Sequence, residues 1–247
     1  MTMKRLTEGA RQFGLSLSPA QTQTFQRYAD QLLEWNQRFN LTAVTDPEQV
    51  QIRHFLDSLS CLLGLTAASA EPLSAWLARS PQALDIGTGA GFPGLPLKIV
   101  WPNLKLTLLE SRQKKVRFLE HIVAELGLIT VTTVHDRAET LAHHPQHRGA
   151  YDLVLGRAVA ELPVLLEYAL PFCRRGGMVV AQKGEAAAAE AIASERALAI
   201  LGGKLRRIVP VEVPGLAETR HITLVEKVAP TPDRYPRRPG IPQKRPL

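Results

Sequence analysis

Cysteine is scarce in this sequence: 247 residues hold only Cys61 and Cys173. The two form no CxxC pair and no metal-ligand spacing, so neither a disulfide framework nor a metal site is expected. Long apolar runs are missing too, and no stretch approaches the length of a membrane span. The opening Met1-Thr2-Met3-Lys4-Arg5-Leu6 runs into Thr7-Glu8-Gly9 without an apolar h-region, which argues against a secretory leader. A cytoplasmic protein with no membrane partner is the expectation. Acidic residues are outnumbered: 30 Lys and Arg against 23 Asp and Glu leave a net charge of +7. Such a surplus suits a polyanion such as nucleic acid, and a solvated basic surface explains it equally well until its distribution is known.

What is present is enough apolar material, 45% of residues, for one large domain or for one domain with a small helical addition. Ser18-Pro19-Ala20-Gln21 has the form of a capping box with proline at the first helical position. Phe25, Tyr28, Leu32, Trp35 and Phe39 then recur at helical spacing. A second start lies at Asp46-Pro47-Glu48-Gln49, with Ile52, Phe55, Leu56, Leu59 and Leu63 as its buried face. Residues 64–81 are rich in Ala, Ser and Pro and read as a connection with a short helix near Trp76.

From residue 83 the rhythm changes to strand, glycine-rich turn and helix. Strands are expected at Ala83–Ile86, Leu106–Glu110, Ile129–Val134, Tyr151–Leu155 and Met178–Gln182, the last after a Gly176-Gly177 turn. Ser111 is expected to cap the helix carrying Phe118, Leu119, Ile122, Val123 and Leu126. A short helix over 162–170 and an Ala-rich helix over 185–201 follow. Two strands, about 204–213 and 220–228, can close the sheet as an antiparallel pair. The fold class is therefore α/β: a Rossmann-like, mostly parallel sheet of the class I methyltransferase kind with an N-terminal helical extension. The expected divisions are a helical extension and connection over 1–82, a nucleoside-binding domain over 83–228, and a basic, Pro-rich tail over 229–247.

Asp85-Ile86-Gly87-Thr88-Gly89-Ala90-Gly91 lies between a strand and a helix. Glycines at 87, 89 and 91 let the backbone turn sharply and approach a ligand, and the following helix start offers amide N–H groups. Glu110 ends the next strand, 23 residues after Gly87. A carboxylate there can accept both hydroxyls of an adenosine ribose. Two nucleoside cofactors satisfy this pattern. Gly89-Ala90-Gly91-Phe92-Pro93-Gly94 matches the GxGxxG of a nicotinamide-dependent oxidoreductase, with Glu110 at a suitable distance. S-adenosylmethionine is preferred because the strand ends two residues earlier, Pro93 interrupts the helix that would cross a pyrophosphate, and Asp85 suits an amino-acid ammonium better than a pyrophosphate. Asp136-Arg137-Ala138-Glu139 and Arg157 follow the third and fourth strands, where the adenine and the substrate would lie.

The chemistry of transfer is narrowed by what the loops omit. No [Asp/Asn]-Pro-Pro-aromatic turn follows the fourth strand, which disfavours methylation of an adenine amino group. Neither cysteine sits as a pyrimidine-attacking nucleophile should. No general base stands out. That is compatible with methylation of guanine N7, which has a free lone pair and no proton, so that catalysis would rest mainly on in-line placement of the methyl group and the nucleophile.

Several segments together resemble the bacterial small-subunit rRNA methyltransferase family RsmG, also called glucose-inhibited division protein B. They are Asn40-Leu41-Thr42-Ala43, Arg53–Ser58, Asp85–Leu97, Glu110–Leu119, Gly156-Arg157-Ala158, Lys183-Gly184, Arg220-His221 and the tail Tyr235–Leu247. The resemblance covers nearly the whole chain. It implies transfer of a methyl group from S-adenosylmethionine to N7 of guanine 527 of 16S rRNA, without a covalent intermediate. It implies cofactor contacts by Gly87, Phe92, Glu110, Ala138, Glu139 and Arg157, joined from the loop pattern by Asp85, Gly89 and Gly91. Asn40, His54 and Arg157 are the expected catalytic-side residues. By itself His54 also reads as a helix-face histidine or as a partner of Asp57 three residues on.

The charge distribution suits such a substrate. Arg234, Arg237, Arg238, Lys244 and Arg245 place five of the seven net charges in residues 234–247, where no acid accompanies them. These residues and Lys183 are the expected RNA contacts. The prolines should keep the tail extended, with Tyr235 as a stacking face. The expected partner is 16S rRNA or the 30S subunit, with no DNA. A non-catalytic RNA-binding module is the remaining rival.

Overall fold

Ser18 begins a helix as its neighbours require: its side chain accepts a hydrogen bond from the Gln21 amide, and the Gln21 side chain accepts one from the Ser18 amide. The computed structural model describes residues 2–69 and 71–247. It opens with helix α1 (Lys4–Gln12), which the sequence reading did not resolve, and α2 (Pro19–Phe39). Asp46 caps α3 (Pro47–Val50) through the Gln49 amide. The chain then widens into a π-helical turn, Gln51–Leu56, before α4 (Asp57–Leu59). Helices α5 (Cys61–Ser69) and α6 (Leu73–Ala78) follow. Residues 64–69 are thus helical, not a connection. Their Leu65 packs into the same core as Phe55 and Ile222, and that contact overrides the weak local pattern.

The α/β part runs β1 (Gln82–Ile86), α7 (Gly94–Val100), β2 (Lys105–Glu110), α8 (Gln113–Glu125), β3 (Val131–His135), α9 (Ala138–Leu141), β4 (Tyr151–Arg157), α10 (Leu162–Ala169) and β5 (Cys173–Lys183). It closes with α11 (Ala187–Ala193), α12 (Glu195–Leu201), β6 (Gly203–Val211), β7 (Arg220–Lys227) and α13 (Ile241–Lys244). Strand order is β3-β2-β1-β4-β5-β7-β6. β1 to β5 are parallel, and β7 enters antiparallel between β5 and β6. This is the expected mostly parallel α/β sheet with a closing antiparallel pair.

Three local expectations change. Ser111 does not cap α8, whose N-cap position is Arg112. The Ala-rich helix breaks at Ser194, whose buried hydroxyl donates to the Glu190 carbonyl and competes with the backbone ladder. β5 starts at Cys173 and runs through Gly176-Gly177.

Side chains alternate across the strands, as a period of two demands. Ala83, Leu106, Leu108, Leu153, Leu155 and Val180 face a core shared with α1, α2, the π-helical turn, α5, α7 and α8. Leu84, Ile86, Leu109, Val154, Val179 and Ala181 face a second core with α9, α10 and α12. The N-terminal helices therefore complete one face of the sheet. Among the described residues, no helix is long and apolar enough to cross a membrane.

Candidate active site

The carboxyl ends of β1, β2 and β4 converge on the glycine loop, where ligands of such sheets bind. β1 ends at Ile86, and Gly87, Gly89 and Gly91 all take positive φ, of 60°, 65° and 102°. The turn begins at Gly87 and α7 begins only at Gly94. The turn therefore starts at Gly87, directly after the strand, as the S-adenosylmethionine reading expects, and not at Gly89. A Cβ on Gly87 would stand 3.3 Å from Val159 across a cleft of about 170 Å³. Gly91 has a different task. A Cβ there would lie 2.4 Å from Leu95 and 2.6 Å from the Tyr28 hydroxyl, so its bareness lets α2 approach the loop.

Asp85 is also structural. Its Oδ2 accepts hydrogen bonds from the Thr88 hydroxyl (2.5 Å) and the Gly94 amide (2.8 Å), and it is fully buried under the loop. Burial raises its carboxyl to about 7, opposed by those two hydrogen bonds. Through Oδ2 it clasps the loop, while its Oδ1 is buried with no hydrogen-bond partner among the described residues. Glu110 is buried at the end of β2, with Oε2 accepting from the Gly89 amide at 3.1 Å and Oε1 from the Arg112 amide at 2.9 Å. A carboxylate has lone pairs beyond these two. Ala138 and Glu139 line the same cleft with Gly87, Ser111, Val159 and Gln243. A glycine cradle with a carboxylate beside it fits a nucleoside with a ribose diol.

Phe92 lies at the centre of a stack. Its ring is 5.5 Å from Tyr28 and 4.4 Å from the His54 imidazole, the latter nearly parallel at 13°. The Arg157 guanidinium sits 5.0 Å from the same ring, within cation–π range. The π-helical turn supplies His54 and leads directly into Asp57, and insertions of this kind recur at functional sites. His54 Nε2 is 2.7 Å from the Thr42 hydroxyl, and Nδ1 is 3.4 Å from Arg157 Nη2. Because guanidinium only donates, Nδ1 is the acceptor and Nε2 carries the proton. Burial first, then the charge of Arg157, lowers the imidazole from 6.5 to about 3.

His54 does not pair with Asp57. The Asp57 carboxylate is instead a hub for three strands. Oδ2 accepts from Arg157 Nη1 at 3.1 Å, and Oδ1 accepts from Arg220 Nε at 2.8 Å and Gln182 Nε2 at 2.7 Å. His54, Asp57, Arg157, Ala158, Gln182 and Arg220 line a second cleft of about 390 Å³. Ala158 has φ 55°, a left-handed conformation unusual for a residue with a side chain. It faces this second cleft while Val159 faces the first. The resemblance places Asp57 with Asn40 and His54 in a polar N-terminal segment near the substrate, and Asp57 does line this cleft. Ala158, Gln182 and Arg220 were not among the expected site residues; Ala158 and Arg220 fell inside matching segments, which was the only signal for them, and Gln182 had none.

Other expected residues lie elsewhere. Asn40 is the exposed left-handed cap of α2 (φ 48°, ψ 58°), a conformation asparagine tolerates, and is not among the residues lining either cleft. Lys183 lines the larger cleft, but its Nζ donates to the Ala160 carbonyl (2.6 Å) and pairs with Glu190 (2.7 Å). It does not present a free charge to a phosphate. Arg237 is half-buried and its charge is paired with the fully buried Glu167 at 2.6 Å, and Tyr235 is buried and offers no stacking face. Arg234, Arg238, Lys244 and Arg245 are exposed. The tail is folded against the sheet domain and includes α13; it is not simply extended.

A family profile described as rRNA small subunit methyltransferase G (GidB) matches residues 21–223. A Ribosomal RNA small subunit methyltransferase G of Roseiflexus castenholzii is 49% identical over 99% of this chain and all of its own length. One from Alkaliphilus metalliredigens is 43% identical over 98% of this chain and 97% of its own. Among solved structures, a SAM-dependent methyltransferase from Aquifex aeolicus covers 73% of this chain and 94% of its own at TM-score 0.50 and 16% identity. A mutant of MtNAS in complex with S-adenosylmethionine covers 83% and 75% at TM-score 0.54 and 15% identity, a likeness of fold. With its glycine cradle, buried Glu110 and full-length relatives, the chain belongs to the rRNA small subunit methyltransferase G family of S-adenosylmethionine-dependent methyltransferases.

Proposed function

We propose that the protein transfers a methyl group from S-adenosylmethionine to N7 of a guanine in 16S rRNA, guanine 527 by family resemblance, acting in the cytoplasm on the rRNA or on the 30S subunit. The observation that carries this reading is the neutral His54, stacked on Phe92 and held at Nδ1 by Arg157, in a cleft beside the cofactor cradle. The bound cofactor supplies an electrophilic methyl group. The protein then needs to place a lone pair, not to remove a proton. Its candidate bases and nucleophiles agree with that need. Burial drives the Tyr28 hydroxyl well above its usual range, so it remains a phenol and donates to the Ala90 carbonyl. Burial likewise raises the Cys61 thiol, with Asp57 adding to the effect, so no thiolate is available for covalent catalysis.

In this reading Arg157 and His54, which line the larger cleft and stack on Phe92, orient the target base, while Asp57 fixes Arg157. A neutral imidazole suits a product base that becomes cationic, whereas an imidazolium there would oppose it. The test is methylation of 30S subunits, and of naked 16S rRNA, from cells lacking this activity. The label should map to one guanine as N7-methylguanosine by borohydride and aniline cleavage. Methyl groups recovered on an exocyclic amine or on carbon would overturn the assignment. RNA binding without transfer would favour the non-catalytic alternative.

A further inference from the structure

The C-terminal segment was expected to serve RNA, but its anchors lead to the cofactor cleft. The Arg237 guanidinium reaches Glu167 through Nε (2.9 Å) and Nη2 (2.6 Å), and the Arg237 amide donates to the same carboxylate at 2.8 Å. Glu167 has no exposed surface. A carboxylate so placed is costly without its partner, so this pair fixes the segment to α10. Arg148 donates to the carbonyls of Tyr235 (2.9 Å) and Thr231 (3.0 Å). The Pro236 carbonyl meets His143 Nε2 at 2.9 Å. The Gly240 amide donates to Glu139 Oε1 at 3.0 Å, and Glu139 itself lines the cleft. One turn later α13 brings Gln243 to the cleft wall, which it shares with Gly87, Ala138 and Tyr168.

The order of groups along the sheet edge indicates what Gln243 meets. β4 and the second cleft are at one side, then β1 with its glycine loop, then β2 with Glu110, then β3 leading to Ala138. With the ribose at Glu110, the base of the nucleoside falls between the ends of β2 and β3. A carboxamide offers a donor and an acceptor side by side, and that pair complements the amino group and neighbouring ring nitrogen of adenine.

We propose that Gln243 is a cofactor-binding residue that recognises the adenine of S-adenosylmethionine, and that the segment 234–247 is a wall of the cofactor site. The inference rests on the family's cofactor and is independent of the guanine-N7 assignment. The experiment is calorimetry on the full chain without RNA, so failure of either reading is seen separately. S-adenosylhomocysteine is compared with its purine analogue lacking the 6-amino group. Gln243→Ala should weaken S-adenosylhomocysteine about ten-fold and the purine analogue about two-fold or less. Gln243 is exposed, so the variant should keep the wild-type denaturation midpoint. Unchanged affinity for S-adenosylhomocysteine, or equal losses for both ligands, would overturn the proposal.

Discussion

Replacing Asp57 by Ala removes the carboxylate that ties the start of α4 to three strands. Arg157 and Arg220 would each lose their ion pair, and Gln182 would lose a side-chain acceptor. Breaking a buried pair costs about 3–5 kcal/mol because a desolvated charge is left behind. The two arginine side chains retain 15% and 22% of their exposure, so water can return to them in part. We therefore expect the lower end, about 3 kcal/mol. For a chain of this size that is a fall in Tm of about 6–12 °C. Neither Asp57 nor Arg157 lines the cofactor cleft, Arg157 having been expected as a cofactor contact, so calorimetric affinity for S-adenosylhomocysteine should be nearly unchanged. Single-turnover methylation should fall by at least about 100-fold, because a displaced Arg157 no longer orients the base. Asp57→Asn keeps the shape but turns an amide N–H toward an arginine, so it should recover only part of the stability. A loss below about 1 kcal/mol in urea denaturation, with normal methylation, would refute the hub.

Three further outcomes are expected. The His54 imidazole should show no protonation by NMR between about pH 8 and 4.5. Its folded value near 3 lies below the ordinary 6.5, so the unfolded chain takes up the proton first. The associated stability is complete above about 6.5 and is lost as pH falls toward 3; titration near 6.5 in the folded protein would contradict this. Glu110→Ala should weaken S-adenosylmethionine by roughly 1.5–3 kcal/mol, with a smaller loss for a 2′-deoxy analogue, and equal losses would remove the ribose role. Changing Arg234, Arg238, Lys244 and Arg245 together to Gln should flatten the salt dependence of RNA binding by about 0.7 per lost phosphate contact. An unchanged slope would show that these four exposed charges do not meet RNA.

Local chemistry made part of this protein legible from sequence alone. Ser18-Pro19 and Asp46-Pro47 stop and start helices through atoms only a few residues apart, and the loop glycines satisfy a local need for positive φ. The strand–turn–helix alternation depends on periodicity, which is also local, so the α/β class and the closing antiparallel pair followed from it. The tail's charge could be counted, but its exposure could not. Arg237 and Lys183 look like Arg234 in a sequence, yet Glu167 holds Arg237 from 70 residues away, and Glu190 holds Lys183 across the turn into α11. Asp57 meets partners 100, 125 and 163 residues away, and no spacing rule links them. Only the tertiary placing of Asp57, at the start of α4, beside Arg157 of β4, Gln182 of β5 and Arg220 of β7 decides that an aspartate in a helical segment becomes the centre of a cleft. Only docking of the tail on Glu167 and Glu139 places Gln243 at the cofactor wall, because burial fixes charged partners that the chain itself keeps far apart.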